Sequence, residues 1–302
     1  MSQGLNQLED QLRAPLHRVD LNGLLDLWQH DDVVVTCVRP SDLEECPDLP
    51  LRMRGALGNA LQDLCADAVQ HDPFDRPTAH RLMYKWKPPR HGLVDVATPY
   101  VVRAEVRGDV VEVRVRLFGA AGYHAPMVIR GLIAALEGGV SIRNHGIRAR
   151  FTVTGAQIER FDGAARAWMK GGSSATLYLL TPVIIRRDRI LQIAPLSLLR
   201  STMRRAQAIA PWMNCTLMTD EETLFEGGKR LRFNMAEVHS EGWERTSSNN
   251  PGKGIPMRGY AGKITLEGDL SDWASYLDLA QYASIGGECA LGFGAVRAII
   301  YP

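Results

Sequence analysis

Residues 258–270 read R-G-Y-A-G-K-I-T-L-E-G-D-L, and residues 285–294 read I-G-G-E-C-A-L-G-F-G. Seven glycines, Gly259, Gly262, Gly268, Gly286, Gly287, Gly292 and Gly294, fall in this one unit. Glycine belongs where the backbone turns sharply or comes close to another group. A strand, a helix and a glycine-rich loop feeding a last strand can cradle a phosphate backbone. The same pattern serves as a tight strand approach that binds nothing. Between the two stretches, residues 270–284 are helical in pattern, and 291–300 form a buried-looking strand. Upstream, 175–185 predict a strand, 195–209 a helix, and 224–237 and 260–266 two further strands. Strand, helix, two strands, helix, strand is the ferredoxin-like order.

The first half repeats that order without visible identity to the second. V-V-V-T-C-V at 33–38 reads as a buried strand. Residues 51–71 predict a helix with Met53, Leu57, Leu61, Leu64 and Ala68 as its apolar stripe, which Pro73 cannot continue. Gly55 and Gly58 on this helix admit a close neighbour. A hairpin over 100–106 and 110–118 turns at Arg107-Gly108-Asp109. A helix at 123–136 stops at Gly138-Gly139, and 151–161 supply a strand or two. Met169-Lys170-Gly171-Gly172-Ser173-Ser174 is the linker between the halves. Before them, leucines at helical spacing over residues 1–30, interrupted by Pro15 and Gly23, predict short helices. The expected class is α+β: two tandem ferredoxin-like (βαββαβ, RRM-like) domains with a C-terminal glycine-rich loop. The expected divisions are a helical extension (1–32), a first domain (33–170) and a second (171–302).

Composition narrows the function. The chain has 302 residues, 45% hydrophobic and 23% charged, ordinary for a globular protein that buries a core without staples. Five scattered cysteines without a C-x-x-C pair argue for a reducing compartment and against disulfides or structural zinc. No apolar run reaches the roughly 18 residues of a membrane span, and no signal peptide pattern opens the chain. The expectation is a cytoplasmic protein without membrane partners. No H-E-x-x-H, G-x-x-x-x-G-K-[ST] or G-x-S-x-G string occurs, which disfavours metal, P-loop and esterase chemistry. His71-Asp72 alone does not make a metal phosphohydrolase site. No cofactor or metal is expected.

Net charge is +1, but residues 1–50 carry ten acids against three arginines, so the remainder is at +8. Arginine supplies 29 of the 35 basic residues, and it favours bidentate phosphate contacts and base stacking. Arg186, Arg187, Arg189, Arg200, Arg204 and Arg205 give a dense basic run, with the last three on or near one helix face. It reads either as a solvated face or as an RNA contact. Lys229, Arg230 and Arg232 follow Gly227-Gly228 and suggest a basic hairpin tip. Between 72 and 92, Arg76, His80, Arg81, Lys85, Lys87, Arg90 and His91 interleave with Tyr84 and Trp86, which suits stacking and phosphate pairing as well as it suits a solvated loop.

Four stretches together resemble the CRISPR-associated endoribonucleases of the RAMP superfamily, which process precursor repeat RNA. L-R-M-R-G-A-L-G-N-A-L at 51–61 looks like the family's first helix. R-L-F-G-A-A at 116–121 resembles the step into its second helix, and L-L-T-P-V-I-I-R at 179–186 the strand opening its second domain. P-M-R-G-Y-A-G-K-I-T-L-E-G-D-L followed by I-G-G-E-C-A-L-G-F-G is the most specific match. The resemblance spans about residues 51–302. Gly287-Glu288 stands where the family usually carries a basic residue, and an acid there repels phosphate. The resemblance implies two ferredoxin-like domains with RNA across the cleft, and metal-independent cleavage. In that reaction the ribose 2′-OH attacks the adjacent phosphate and leaves a 2′,3′-cyclic phosphate and a 5′-OH. It implies a catalytic His near the end of the first helix, which His71 matches, with His80 as its competitor. Tyr84 and Lys85 are then positioning or acid group and charge stabiliser. Arg186, Arg187, Arg200, Arg204, Arg205, Lys229, Arg230, Arg232 and Arg258, with Gly286, Gly287, Gly292 and Gly294, are the implied RNA contacts. The implied partners are CRISPR repeat RNA and other effector subunits. The alternative of the same fold is a non-cleaving RNA-binding subunit of a CRISPR effector.

Overall fold

The structure, a computed structural model, describes residues 3–41, 43, 46–66, 78–91, 94–142, 148–187, 190–247 and 250–302. The chain opens with α1 (Gln3–Arg13), a short strand β1 (His17–Val19) and α2 (Leu21–Leu27). The first ferredoxin unit follows: β2 (Gln29–Val38), α3 (Leu49–Ala66), β3 (Tyr100–Arg107), β4 (Val110–Phe118), α4 (Ala125–Gly138) and β5 (Thr152–Asp162). Its sheet runs β3-β4-β2-β5, all antiparallel, so the first and third strands of the repeat lie at the centre. The β-branched run in β2 explains the centre: Val33, Val35 and Cys37 alternate onto one face with Val111, Val113 and Val115, all fully buried. Helices α3 and α4 cover that face.

The second unit is built from β6 (Ser174–Val183), α5 (Pro195–Ile209), β7 (Cys215–Leu217), α6 (Glu221–Lys229), β8 (Arg232–Ser247), β9 (Asn250–Glu267), α7 (Ala274–Ala283) and β10 (Val296–Tyr301). Its sheet order β8-β9-β6-β10 reproduces the first, again antiparallel. The tandem ferredoxin-like expectation therefore holds in strand order as well as in element order. One continuous apolar core runs through both units, from Leu12 to Val296. Strand β1 pairs in parallel with β7, which straps the N-terminal segment onto the second unit ahead of the first.

Several expectations are corrected. Residues 224–237 are not one strand: α6 occupies Glu221–Lys229, and β8 then runs far beyond 237. Asp220 caps α6, accepting from the Thr223 N–H, and Glu221 and Glu222 sit in its first turn, an N-terminal signal that glycines Gly227 and Gly228 obscured. Lys229 and Arg230 therefore lie at a helix end, not at a hairpin tip. Strand β9 is likewise longer than 260–266, and β8 and β9 form an extended ribbon. Gly23 does not break α2; it lets the helix approach Val19, whose Cβ would lie 2.9 Å from an added side chain. The predicted continuation of α3 to His71 lies outside the described residues.

Candidate functional site

Three of the candidate catalytic residues, His80, Tyr84 and Lys85, lie where α3 meets a π-helical turn, Arg81–Lys85. Gly58 in α3 is bare because the Tyr84 ring lies against it; a Cβ there would sit 2.7 Å from that ring. The Tyr84 hydroxyl donates to the Arg54 carbonyl at 2.8 Å, while the Arg54 guanidinium lies 4.7 Å over the Tyr84 ring. Arg54 Nε donates to the Tyr100 hydroxyl at 3.0 Å, and that hydroxyl donates to the Met83 carbonyl at 3.1 Å. Burial pushes the Tyr84 phenol well above its ordinary range. Tyr84 thus keeps its proton and fixes the turn. His80 stacks on it at 5.7 Å between ring centroids and is half-buried. Burial first, then the charge of Lys85, lower the His80 pKa, so its imidazole is neutral and able to accept a proton near pH 7. Lys85 is exposed at the end of the turn. His71 lies outside the described residues, in the connection between Ala66 and Thr78.

The glycine-rich loop is rigid and internally bonded. Gly286, Gly292 and Gly294 have φ of 87°, 93° and 75°. A Cβ on Gly294 would sit 1.9 Å from the Ile285 carbonyl oxygen, and one on Gly292 2.4 Å from Pro50 of α3. The N–H groups of Gly287, Gly292 and Gly294 donate to the carbonyls of Ile184, Cys289 and Pro182. Those donors are spent inside the protein, so they cannot cradle a phosphate. Phe293 and Leu291 pack with Leu51, Ile184, Trp243 and Met257 into a small second cluster, which ties the loop to α3 and to the ribbon. Gly294→Ala combines positive φ with a backbone clash and is expected to cost about 2 kcal/mol or more in urea unfolding. A variant as stable as the parent would contradict the geometry.

Just before the loop, three arginines converge on the end of α7. Arg103 Nη2 donates to the Gln281 carbonyl at 2.7 Å, Arg116 Nη1 to that of Tyr282 at 3.1 Å, and Arg205 Nε to that of Ala283 at 2.8 Å. These are orphan carbonyls at the negative end of a helix, where cations belong. Two of the arginines come from the first sheet and one from α5, so the clamp joins the units.

Several of the implied RNA contacts are already engaged within the protein. Arg205 is buried at 9% exposure, away from the face expected for it. Arg200 covers the Phe225 ring at 4.6 Å. Arg204 pairs with Glu221, Lys229 with Glu226 and Arg232 with Glu267. Arg186, Arg230 and Arg258 are exposed and have no ion-pair partner among the described residues. Arg187 closes a two-residue strand with Arg186, paired to Ile190–Leu191. Sequence reading missed Arg54, Arg103 and Arg116. Arg116 stands in the alternating run R-V-R-L-F; the signal was Asp32 on β2, which the register sets directly opposite it.

A cavity of about 300 Å³ on the same sheet face is lined by His30, Asp32, Arg114, Arg116, Phe161 and Tyr282, among others. His30 stacks on Phe161 at 4.5 Å, and Nδ1 accepts from the Trp28 indole at 3.1 Å. Its proton is therefore on Nε2, 3.9 Å from Asp32 Oδ1. Burial first, and then the charge of Arg116, lower the His30 pKa to about 3 against the opposing pull of Asp32. The unfolded chain takes up this proton below about 6.5 and the folded chain does not. Stability from this group is thus full above pH 6.5 and falls by about 1.4 kcal/mol per unit as pH drops toward 3. His30→Gln, which keeps an acceptor for Trp28 but cannot titrate, is expected to flatten the loss of urea stability between pH 6.5 and 4. An unchanged slope would place the titration elsewhere.

Among the described residues no group of three or more His, Cys, Asp or Glu is placed to hold a metal, and no helix is long and apolar enough to cross a membrane.

Residues 177–296 match the family model of the CRISPR-associated endoribonuclease Cas6. Over that stretch the chain is similar to the Cas6 family. The resemblance to CRISPR-associated RAMP proteins is thereby borne out where it was most specific, in β9 and the glycine-rich loop. No curated relative matches the sequence. Among solved structures, a Cas6 product complex is similar over 90% of this chain and 99% of its own, at 16% identity and a TM-score of 0.53. A product complex of a Thermus thermophilus Cas6 covers 89% of this chain and 100% of its own, at 15% identity and 0.53. A Cas6 substrate-mimic complex covers 90% and 99%, at 18% identity and 0.50. At these identities the likeness is one of fold. It extends the Cas6 arrangement across the first unit, which the family model does not reach.

Proposed function

We propose that the protein is a Cas6-type endoribonuclease that cleaves CRISPR precursor RNA within its repeats. The observation that carries this reading is the Cas6 match over 177–296, set in a chain whose two sheets repeat the tandem arrangement of the solved Cas6 proteins. The partner is repeat RNA, as the similar product and substrate-mimic complexes suggest. In the proposed chemistry the ribose 2′-oxygen forms a bond to the adjacent phosphorus while the bond to the 5′-oxygen breaks. A base removes the 2′ proton, an acid supplies one to the leaving oxygen, and a cation offsets the charge on the phosphorane. His71 is the base, Lys85 the cation, and Tyr84 the positioning residue that holds the turn through Arg54. His80, neutral and stacked on Tyr84, is the competing base.

A non-cleaving RNA-binding subunit is the second reading. It is favoured by the loop itself, whose Gly287, Gly292 and Gly294 N–H groups are internally bonded and whose exposed Glu288 opposes phosphate. Incubating end-labelled repeat RNA with the protein in EDTA separates the two. Cleavage with a 2′,3′-cyclic phosphate end supports the enzyme. Binding without cutting supports the subunit, and cutting that EDTA abolishes refutes the metal-independent chemistry.

A further inference from the structure

The two sheets differ in what covers their helix-free faces. On the first, Arg116, Asp32 and His30 are buried beneath Tyr282 and the end of α7. On the second, Leu177 and Leu179 of β6 point into the core, and their neighbours Tyr178 and Leu180 point out, at 37% and 53% exposure. The register sets Tyr178 between Lys263 of β9 and Arg297 of β10. Tyr301, 45% exposed, lies on the same face, paired with Ser174. The two tyrosines are four positions apart along the strands, about 13 Å. The floor between them is Thr176 flanked by Thr265 and Ile299.

Charge selects the occupant. The acids on this face are already tied: Glu237 to Lys263 at 3.0 Å and Glu267 to Arg232 at 3.2 Å. Arg297 is exposed and has no ion-pair partner among the described residues. The face is thus left positive. Its apolar points are isolated by hydroxyls, unlike the apolar centre that a second protein chain would bury. Exposed rings with an unpaired arginine beside Tyr178 suit splayed bases on a phosphate backbone, and the stacked bases of a duplex do not reach such rings.

We propose that the helix-free face of the second sheet binds single-stranded RNA, with Tyr178 and Tyr301 stacking bases and Arg297 taking a phosphate. The proposal rests on the reading of the chain as an RNA-processing protein and adds to it a surface for unpaired RNA. The test is fluorescence anisotropy of the full-length protein with a labelled oligoadenylate of about 15 nucleotides, whose stacking is tolerant of sequence. Tyr178→Ala is expected to weaken binding about tenfold, and Tyr178→Phe to restore it to within about twofold of the parent. Arg297→Ala lowers the slope of log affinity against log salt by about 0.7, the value for one single-strand phosphate contact. Ultraviolet crosslinks map to residues 174–183. The proposal is overturned if Tyr178→Ala binds as the parent does, if the crosslinks fall elsewhere, or if sedimentation shows a dimer that Tyr178→Ala dissociates. Repeat-RNA cleavage is measured in parallel. Oligoadenylate binding that depends on Tyr178 in a protein that does not cut overturns only the enzymatic reading. Cutting without that dependence overturns only this one.

Discussion

Arg116→Ala is expected to destabilise the protein by about 3–5 kcal/mol, measured by urea unfolding at pH 7. Arg116 is 6% exposed and grips Asp32 with two parallel bonds, Nε to Oδ1 and Nη2 to Oδ2, both 2.7 Å. Burial alone would raise the Asp32 carboxyl, but the hydrogen bonds and charge of Arg116 override it and hold it down at about 2. The truncation strands this carboxylate with only Arg114, at 2.7 Å, to answer it. It also frees the Tyr282 carbonyl and removes a guanidinium lying 5.0 Å over the Tyr282 ring. Removing both charges, as in Arg116→Met with Asp32→Leu, is expected to recover most of the loss, because the penalty lies in the unpaired charge. A single variant within 1 kcal/mol of the parent would sink this account.

His71→Ala is expected to slow single-turnover cleavage of repeat RNA by about 10²- to 10⁴-fold, the usual cost of losing a general base. Wild-type cleavage by the variant would show the assignment to be wrong. His80→Ala separates the candidates, since its imidazole already stacks on the ring that fixes the turn. If His80 is the base, the rate follows its lowered pKa, and the acid limb of the pH profile lies below that of an ordinary histidine. If His71 is the base, His80→Ala leaves that limb in place.

The fold was legible because its decisive elements obey strong local rules. The β-branched run of β2 and the Arg107-Gly108-Asp109 turn required little tertiary context. Pro195 at the start of α5 marks its boundary in the same way. The misreading at 224–237 came from weighing glycines above the Asp220 cap. The site was less legible, because its parts meet through space. Nothing local joins Arg54 to Tyr84 and Tyr100, or says that Gly58 is bare to receive a ring. Arg205 looked like its neighbours Arg200 and Arg204, and only the docking of α7 turns it inward. The glycines of 285–294 were visible as a pattern, but their cause was not. They serve close backbone packing, with the N–H groups of Gly287, Gly292 and Gly294 consumed.

The clamp on α7 bears on where bending strain falls during recognition. Hinging the units apart would leave two carbonyls, those of Gln281 and Tyr282, without donors, at about 1–3 kcal/mol for each acceptor that stays dry. The glycine-rich linker Gly171-Gly172 is supple in isolation, yet it has no swing to impart. The clamp holds the two units together. On the proposed reading, an RNA that crossed both units would take on the curvature of the protein, and strands that resist that curvature would be disfavoured before any base is read.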